Sequence, residues 1–490
     1  MGTRTPPSFF VREFFVREEI SMQRFLGSVL ATLSLALAAG AGCSSDEDDA
    51  GSGDDAASGS GGSAQGGSAG SSKGGASSGG TAGTSGGKGG TAGVEATGGS
   101  GATGGAGVTG GTSGSSTGGS STGGSSGSAT GGSSGSGTGT SSAADLARKL
   151  GRAPNFMIGM GNDLDNDHSR DGAYTLGVTM DLHYAYLVGL PGEGGWPDWN
   201  AGGTFVNLLT DSADANGTAP MFDMYGMAAH GEANQAVLID PAYMGPWWDQ
   251  MELVFRRLAA FNKPAIVHVE PDFWAFQQLQ SGGNAASVEV LIHDFVEGCD
   301  DQPENLVGLG HCIIQLSRTI SPKVAIGFHA SRWGGTPASI VQFLTSVGAA
   351  EGDYIGMDIL DRDAGCFEAH TDPNCQRNDG PWYWDESNQT SPNFHEYLAY
   401  SKTIGDGLGK PIIWWQIPFG VPSNTMGGAA GRYRDNRVHY IFSHIQEFID
   451  AGGAGAAFGV GAGNQTYITS DGGQFRNAVT AYFANPVPLP

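Results

Sequence analysis

Eight short apolar runs, most of them followed by an amphipathic stretch, set the strongest limit on what this chain can fold into. The runs are 155–160, 181–188, 220–225, 264–270, 323–329, 353–360, 411–416 and 455–460. Between them, apolar residues recur at helical spacing. In 247–261 they are Met251, Val254, Phe255 and Leu258, and in 436–449 they are Val438, Ile441, Phe442, Ile445 and Phe448. Residues 288–296, 338–347 and 474–483 follow the same pattern and predict helices. Strands alternating with helices predict parallel pairing through right-handed crossovers, and eight such units close into a (β/α)8 TIM barrel. The first unit is the weakest, because 170–179 offers at most a short helix. An open doubly wound sheet is the competing fold. It carries a glycine-rich phosphate loop after its first strand, and Gly159-Met160-Gly161-Asn162-Asp163 does not supply G-x-G-x-x-G.

The barrel accounts for residues 143–490 only. Glycine contributes 84 of the 490 residues, most of them before residue 144. Residues 44–142 are nearly all Gly, Ser, Thr and Ala, with too little apolar surface to offset the entropy of ordering. They are expected to form a disordered linker. Residues 1–43 read as an export signal whose true start is Met22: Arg24 is followed by the apolar run 25–39, too short for a membrane span. Gly40-Ala41-Gly42-Cys43 resembles the bacterial lipobox, with Gly40 where that motif carries Leu. The resemblance implies lipidation at Cys43, and Ser44 in place of Asp points towards the outer membrane. An ordinary cleaved signal with an incidental Cys43 is the alternative. The expected location is therefore the outer membrane or cell surface, held by the lipid anchor alone, or the secreted fraction.

The formal charge of −25 repels phosphate backbones and excludes nucleic acid as a natural partner, while leaving neutral glycans open. The domain is expected to be a monomer. Exported cysteines favour disulfides, and local pairing predicts Cys299–Cys312 and Cys366–Cys375; neither pair has zinc-finger spacing.

In a barrel of this kind chemistry gathers at the C-terminal ends of the strands. The fourth run ends His268-Val269-Glu270-Pro271-Asp272. Alternation along a strand would put His268 and Glu270 on one face, the lumen, where burial raises a carboxyl pKa towards that of a general acid. The sixth run places Asp358 inside Tyr-Ile-Gly-Met-Asp-Ile-Leu, where an unpaired acid needs a reason: catalysis, or a structural hydrogen bond. Glu270 and Asp358 are the candidate catalytic pair. His183, Tyr225, His268, Asp272, His329, Arg332, Asp361, Trp414, Gln416 and Asn464 are candidate substrate contacts. Aromatic faces stack on the C–H faces of sugar rings, while amides and imidazoles bond hydroxyls. Asp163, Asp165 and Asp167 resemble the opening of a calcium loop, but His168 and Tyr174 replace its Gly and closing Glu; no other cofactor is expected.

Taken together, strand order and site placement over 155–483 resemble the glycoside hydrolase barrels. Many retaining members carry their carboxylates at strands four and seven. Here the seventh run ends in Gln416, which departs from that plan, whereas a plan using strands four and six would pair Glu270 or Asp272 with Asp358. Glu270-Pro271-Asp272 also resembles a motif of some cellulose-degrading hydrolases. The resemblance implies an exported glycoside hydrolase acting on a poly- or oligosaccharide through paired carboxylates. A non-catalytic surface lectin on the same scaffold is the alternative, and it needs no paired acids.

Overall fold

The computed structural model describes residues 142–161, 172–359, 383–422, 433–434, 437–459 and 471–490, together with Ala364, Phe367 and Ile468. Eight strands form the centre: β1 Met157–Gly161, β2 Leu182–Val188, β3 Ala219–Tyr225, β4 Ala265–Val269, β5 Val324–His329, β6 Tyr354–Asp358, β7 Ile412–Pro418 and β8 Gly453–Gly459. They close in the order β1-β8-β7-β6-β5-β4-β3-β2, every pair parallel, which is the (β/α)8 barrel and not the open sheet. Strands buried on both faces need no polar alternation. Ala265-Ile266-Val267-His268-Val269 illustrates this, with all five residues buried.

Helices pack outside the barrel. Among them are α1 Ala143–Lys149, α2 Phe205–Ala215, α3 Pro241–Phe261, α4 Phe273–Gln280, α5 Leu306–Ile320, α6 Pro337–Ser346, α7 Phe394–Leu408, α8 Arg437–Ser443, α9 Ile445–Asp450 and α10 Gln474–Ala484. Helix α3 starts where the Asp240 side chain accepts from the Ala242 N–H with Pro241 in the first turn, and it ends at left-handed Asn262. Its Trp247, Trp248, Met251, Val254, Phe255 and Leu258 face the core.

Two helix expectations require correction. Residues 288–296 form no helix. Val288, Val290 and Ile292 are buried at a spacing of two, the period of an extended segment, and Glu289 bridges Asn305. The helix of this unit is α5, whose pattern is obscured by Gly308 and Gly310, poor helix formers. A Cβ on Gly310 would lie 2.0 Å from the Val347 carbonyl oxygen, so close packing demands the glycine. The expected helix 436–449 is broken into α8 and α9 at His444, whose backbone leaves the helical region. In the first unit the described residues hold only a single 3₁₀ turn, Ala173–Thr175.

The N-terminal ends of the strands form a floor. Helix α1 is capped by Ser142 and buries Ala144, Leu146 and Ala147. Its Lys149 reaches Asp353, the residue before β6, at 2.6 Å; Arg318 of α5 reaches the same carboxylate at 2.8 Å. Cys299 is disulfide-bonded to Cys312 with 5.6 Å between Cα atoms, tying the loop before α5 to that helix. Cys43, Cys366 and Cys375 lie outside the described residues.

Candidate active site

The inward-facing side chains of β3, β4, β5 and β6 form a hydrogen-bonded chain across the lumen. Asp223 Oδ1 lies 2.9 Å from His268 Nδ1, His268 Nε2 lies 3.1 Å from His329 Nδ1, and His329 Nε2 lies 3.3 Å from Asp358 Oδ1. Trp415 Nε1 donates to the other Asp223 oxygen at 3.0 Å. Both imidazoles and Asp223 are buried, while the Asp358 side chain keeps 18% of its surface exposed. Asp358 is therefore the open end of the chain. Glycine makes room for it: a Cβ on Gly356 would sit 2.3 Å from His268 Nε2.

The donors fix the tautomers. Asp223 accepts from the indole, so His268 presents its Nδ1 proton to Asp223 and its Nε2 lone pair to the Nδ1–H of His329. Burial, then the neighbouring His329, holds the His268 pKa well below the usual imidazole value, consistent with that neutral form. His329 Nε2 is left to meet Asp358. Asp358 thus meets the last imidazole on one side and solvent on the other, where its carboxyl group can reach a reactant.

Aromatic rings surround this chain. Trp415 stands 5.1 Å from the His268 ring, 5.8 Å from Tyr186 and 6.3 Å from Tyr225, the last of these stacked. Tyr225 donates to Asp272 Oδ2 at 3.3 Å, so the half-buried Asp272 beyond β4 joins the rim of this mouth. The Gln416 amide donates to the Tyr186 hydroxyl.

Glu270 does not share the lumen face with His268. Its backbone has φ 46°, a left-handed conformation that breaks the alternation of the strand. The carboxyl turns to the exit of β3 and to the outer helix α3. Oε1 accepts from Gly226 N–H at 2.9 Å and from Trp247 Nε1–H at 2.9 Å, and Oε2 accepts from Met227 N–H at 3.1 Å. Burial pushes Glu270 up to about 8 against the pull of these three donors. With both oxygens engaged, Glu270 clamps the loop after β3 and is not aimed at Asp358.

Two other expected contacts also face away from the lumen. His183 alternates with the inward Tyr184 and Tyr186, and its ring meets Tyr174 at 4.8 Å outside the barrel. Trp414 alternates with the inward Trp415 and packs edge-on against Phe448 of α9 at 5.0 Å. Arg332 lies over the Tyr400 ring of α7 at 5.4 Å, beside the mouth. Asp163, Asp165, Asp167, Asp361 and Asn464 lie outside the described residues. Among the described residues, no group of three or more His, Cys, Asp or Glu is arranged to hold a metal ion.

Sequence reasoning missed three site residues. Asp223 sits inside Ala-Pro-Met-Phe-Asp-Met-Tyr, an apolar run carrying one acid, the same signal that singled out Asp358. Trp415 was passed over for its neighbour Trp414. Glu232, in the loop after β3, gave no signal in sequence, yet it is 4% exposed and its pKa is driven well up by burial first and then by the charge of Asp272.

No protein-family model matches this chain, and no curated protein matches it. Among solved structures, a Bacteroidetes-affiliated GH5 cellulase linked with a polysaccharide utilization locus shares 12% identity over 69% of this chain and 93% of its own, with a TM-score of 0.42. The GH26 domain of a Prevotella bryantii endo-beta-mannanase/endo-beta-glucanase shares 15% over 68% and 90%, with a TM-score of 0.37. A D-psicose 3-epimerase from Clostridium cellulolyticum H10 shares 12% over 67% and 99%, with a TM-score of 0.33. Hydrolases and epimerases thus stand side by side at TM-scores too low to carry an argument, and the chemistry rests on this chain's own residues.

Proposed function

We propose that the barrel hydrolyses glycosidic bonds of a neutral poly- or oligosaccharide, with Asp358 as the carboxylate that activates water and Asp272 as the carboxyl facing it across the mouth. The observation that carries this reading is the position of Asp358 at the solvent end of the Asp223–His268–His329 chain, beneath a ring of Tyr186, Tyr225 and Trp415. The Asp358 carboxylate, held by His329 on one side, can take a proton from water on the other, and the rings offer stacking faces for pyranose C–H groups. Asp272 follows β4 and Asp358 ends β6, two strands on. That interval is roughly 10 Å along the barrel wall. Carboxyls set apart on that scale leave room for a water, so inversion at the anomeric carbon is expected.

The full chain is to be assayed for reducing-end release on plant, fungal and bacterial polysaccharides, with NMR of the first-formed anomer. Release with inversion supports the assignment; retention contradicts Asp358 as water activator. Glycan binding with no product from any polysaccharide favours the lectin. Export and acylation at Cys43 belong to the same proposal. Cys43→Ser should move the protein from the membrane to the soluble fraction, and unchanged fractionation would contradict the anchor.

A further inference from the structure

Glycosidic cleavage needs a proton donor, and Glu270, with both oxygens held by N–H groups, is badly placed to be one. Glu232 lies in the loop that Glu270 clamps. Its backbone carbonyl accepts from Gln277 Nε2 of α4 at 2.6 Å, and Gln277 Oε1 in turn accepts from Gln235 Nε2 at 3.0 Å, so the loop is pinned at the acid and three residues beyond it. The Glu232 side chain is buried, and its Oε1 has no hydrogen-bond partner among the described residues. Such an oxygen is costly to bury as a carboxylate and far less so as a carboxylic acid. Asp272, on the rim of the mouth beside Tyr225, immediately precedes α4, the helix whose Gln277 holds the Glu232 carbonyl, and its charge adds to burial in raising the Glu232 pKa.

We propose that Glu232 and Asp272 act as one carboxyl pair that holds a single proton near neutral pH and delivers it, through the more exposed Asp272, to the departing glycosidic oxygen. This rests on the glycosidase reading and supplies its missing acid. Two carboxyls that share a site cannot both ionise readily, so one proton stays with the pair. In the step, the anomeric C–O bond breaks as its oxygen takes the pair's proton. Water forms the new C–O bond and gives its proton to Asp358. The products are an alcohol and a hemiacetal, and the pair is re-protonated from solvent as Asp358 releases its proton. The charged and titratable groups around Glu232 are Asp272 and Glu270 beyond β4 and Tyr243 of α3, with Glu193 beyond β2 contributing at Tyr243.

The test uses the full chain and two readouts. In infrared spectra at neutral pH, the wild type should show protonated carboxyl absorption from Glu270 and from the pair, and the wild-type minus E232Q difference spectrum should hold the pair's band. In D272N the band should vanish at lower pH, because the neighbouring charge is gone; should E232Q not fold, this variant alone carries the readout. In kinetics, D272N should lose about 10²- to 10⁴-fold in turnover on an unactivated polysaccharide. It should lose far less on an aryl glycoside whose leaving group needs no proton. E232Q should move the alkaline limb of the pH profile to lower pH. A Glu232 carboxyl that ionises in the ordinary range, or hydrolysis that survives D272N on the unactivated substrate, overturns the pair while leaving the glycosidase reading intact. Absence of all hydrolysis by the wild type overturns that reading and the donor role with it.

Discussion

Asp353 at the floor of the barrel and Glu270 at its mouth are both largely buried carboxyls, and their surroundings drive them in opposite directions. Burial works against Asp353 too, yet Lys149 and Arg318 hold its pKa below the usual range. Glu270 is met by N–H groups and no cation, and rises to about 8. Glu232, also at the mouth, is pushed well up by burial and by the charge of Asp272. Asp181 shows that pairing, not position, decides. It lies at the floor before β2, accepts only the Ile158 N–H and a weak pull from Arg152, and rises to about 6. Asp353 is thus a carboxylate neutralised for stability, whereas Glu270 and Glu232 at the mouth, like Asp181, lack such cations and hold their protons more readily.

The largest expected effect breaks the floor. Asp353→Ala would strand Lys149 and Arg318 against each other and remove the acceptor of the Ile326 N–H, costing about 3–5 kcal/mol in denaturant unfolding. Turnover of the protein that remains folded should be unchanged; a loss below 1 kcal/mol would show that the floor network is ornamental. Reducing Cys299–Cys312 should cost about 3 kcal/mol, since it frees a loop of 13 residues. An unchanged melting temperature after reduction would contradict that.

Glu270→Gln sharpens the contrast at the mouth. An amide NH₂ would confront one of three N–H donors, so a loss of about 1–3 kcal/mol is expected. Turnover should fall less than for an acid that touches substrate, and a complete loss with stability intact would restore Glu270 as the proton donor. The smallest effect is on pH. Between the ordinary glutamate value of 4.5 and about 8, the folded chain retains protons at Glu270 that the unfolded chain has released. Stability should therefore decline as pH rises through that window. His268 works the other way, because its depressed pKa makes stability fall as pH drops below about 6.5. From about pH 5 to 6.5 the two effects oppose each other, so melting temperatures should be nearly level there and then decline towards pH 8; a monotonic rise with pH would contradict the burial of protonated carboxyls.

Much of this was legible in the chain. All eight strands lie where the apolar runs predict them, because a strand buried on both faces writes itself as a continuous apolar segment. Asp358 was legible for the converse reason, a lone acid in such a run, and Asp223 carried the same signal unread. Alternation predicted the wrong face where the backbone leaves the β region. Glu270 does so at φ 46°, and no residue type there announces it. Glu232 could not be found by pattern, since its burial and the nearby charge of Asp272 are set by tertiary structure alone.

The central claim is that Asp358, at the open end of the imidazole chain, does the chemistry. Asp358→Asn preserves the shape of the side chain and removes its charge. With the wild type active on a polysaccharide, the variant should fold, melt within a few degrees of it, and release reducing ends about 10²- to 10⁴-fold more slowly. A D358N chain that hydrolyses at the wild-type rate would contradict the account.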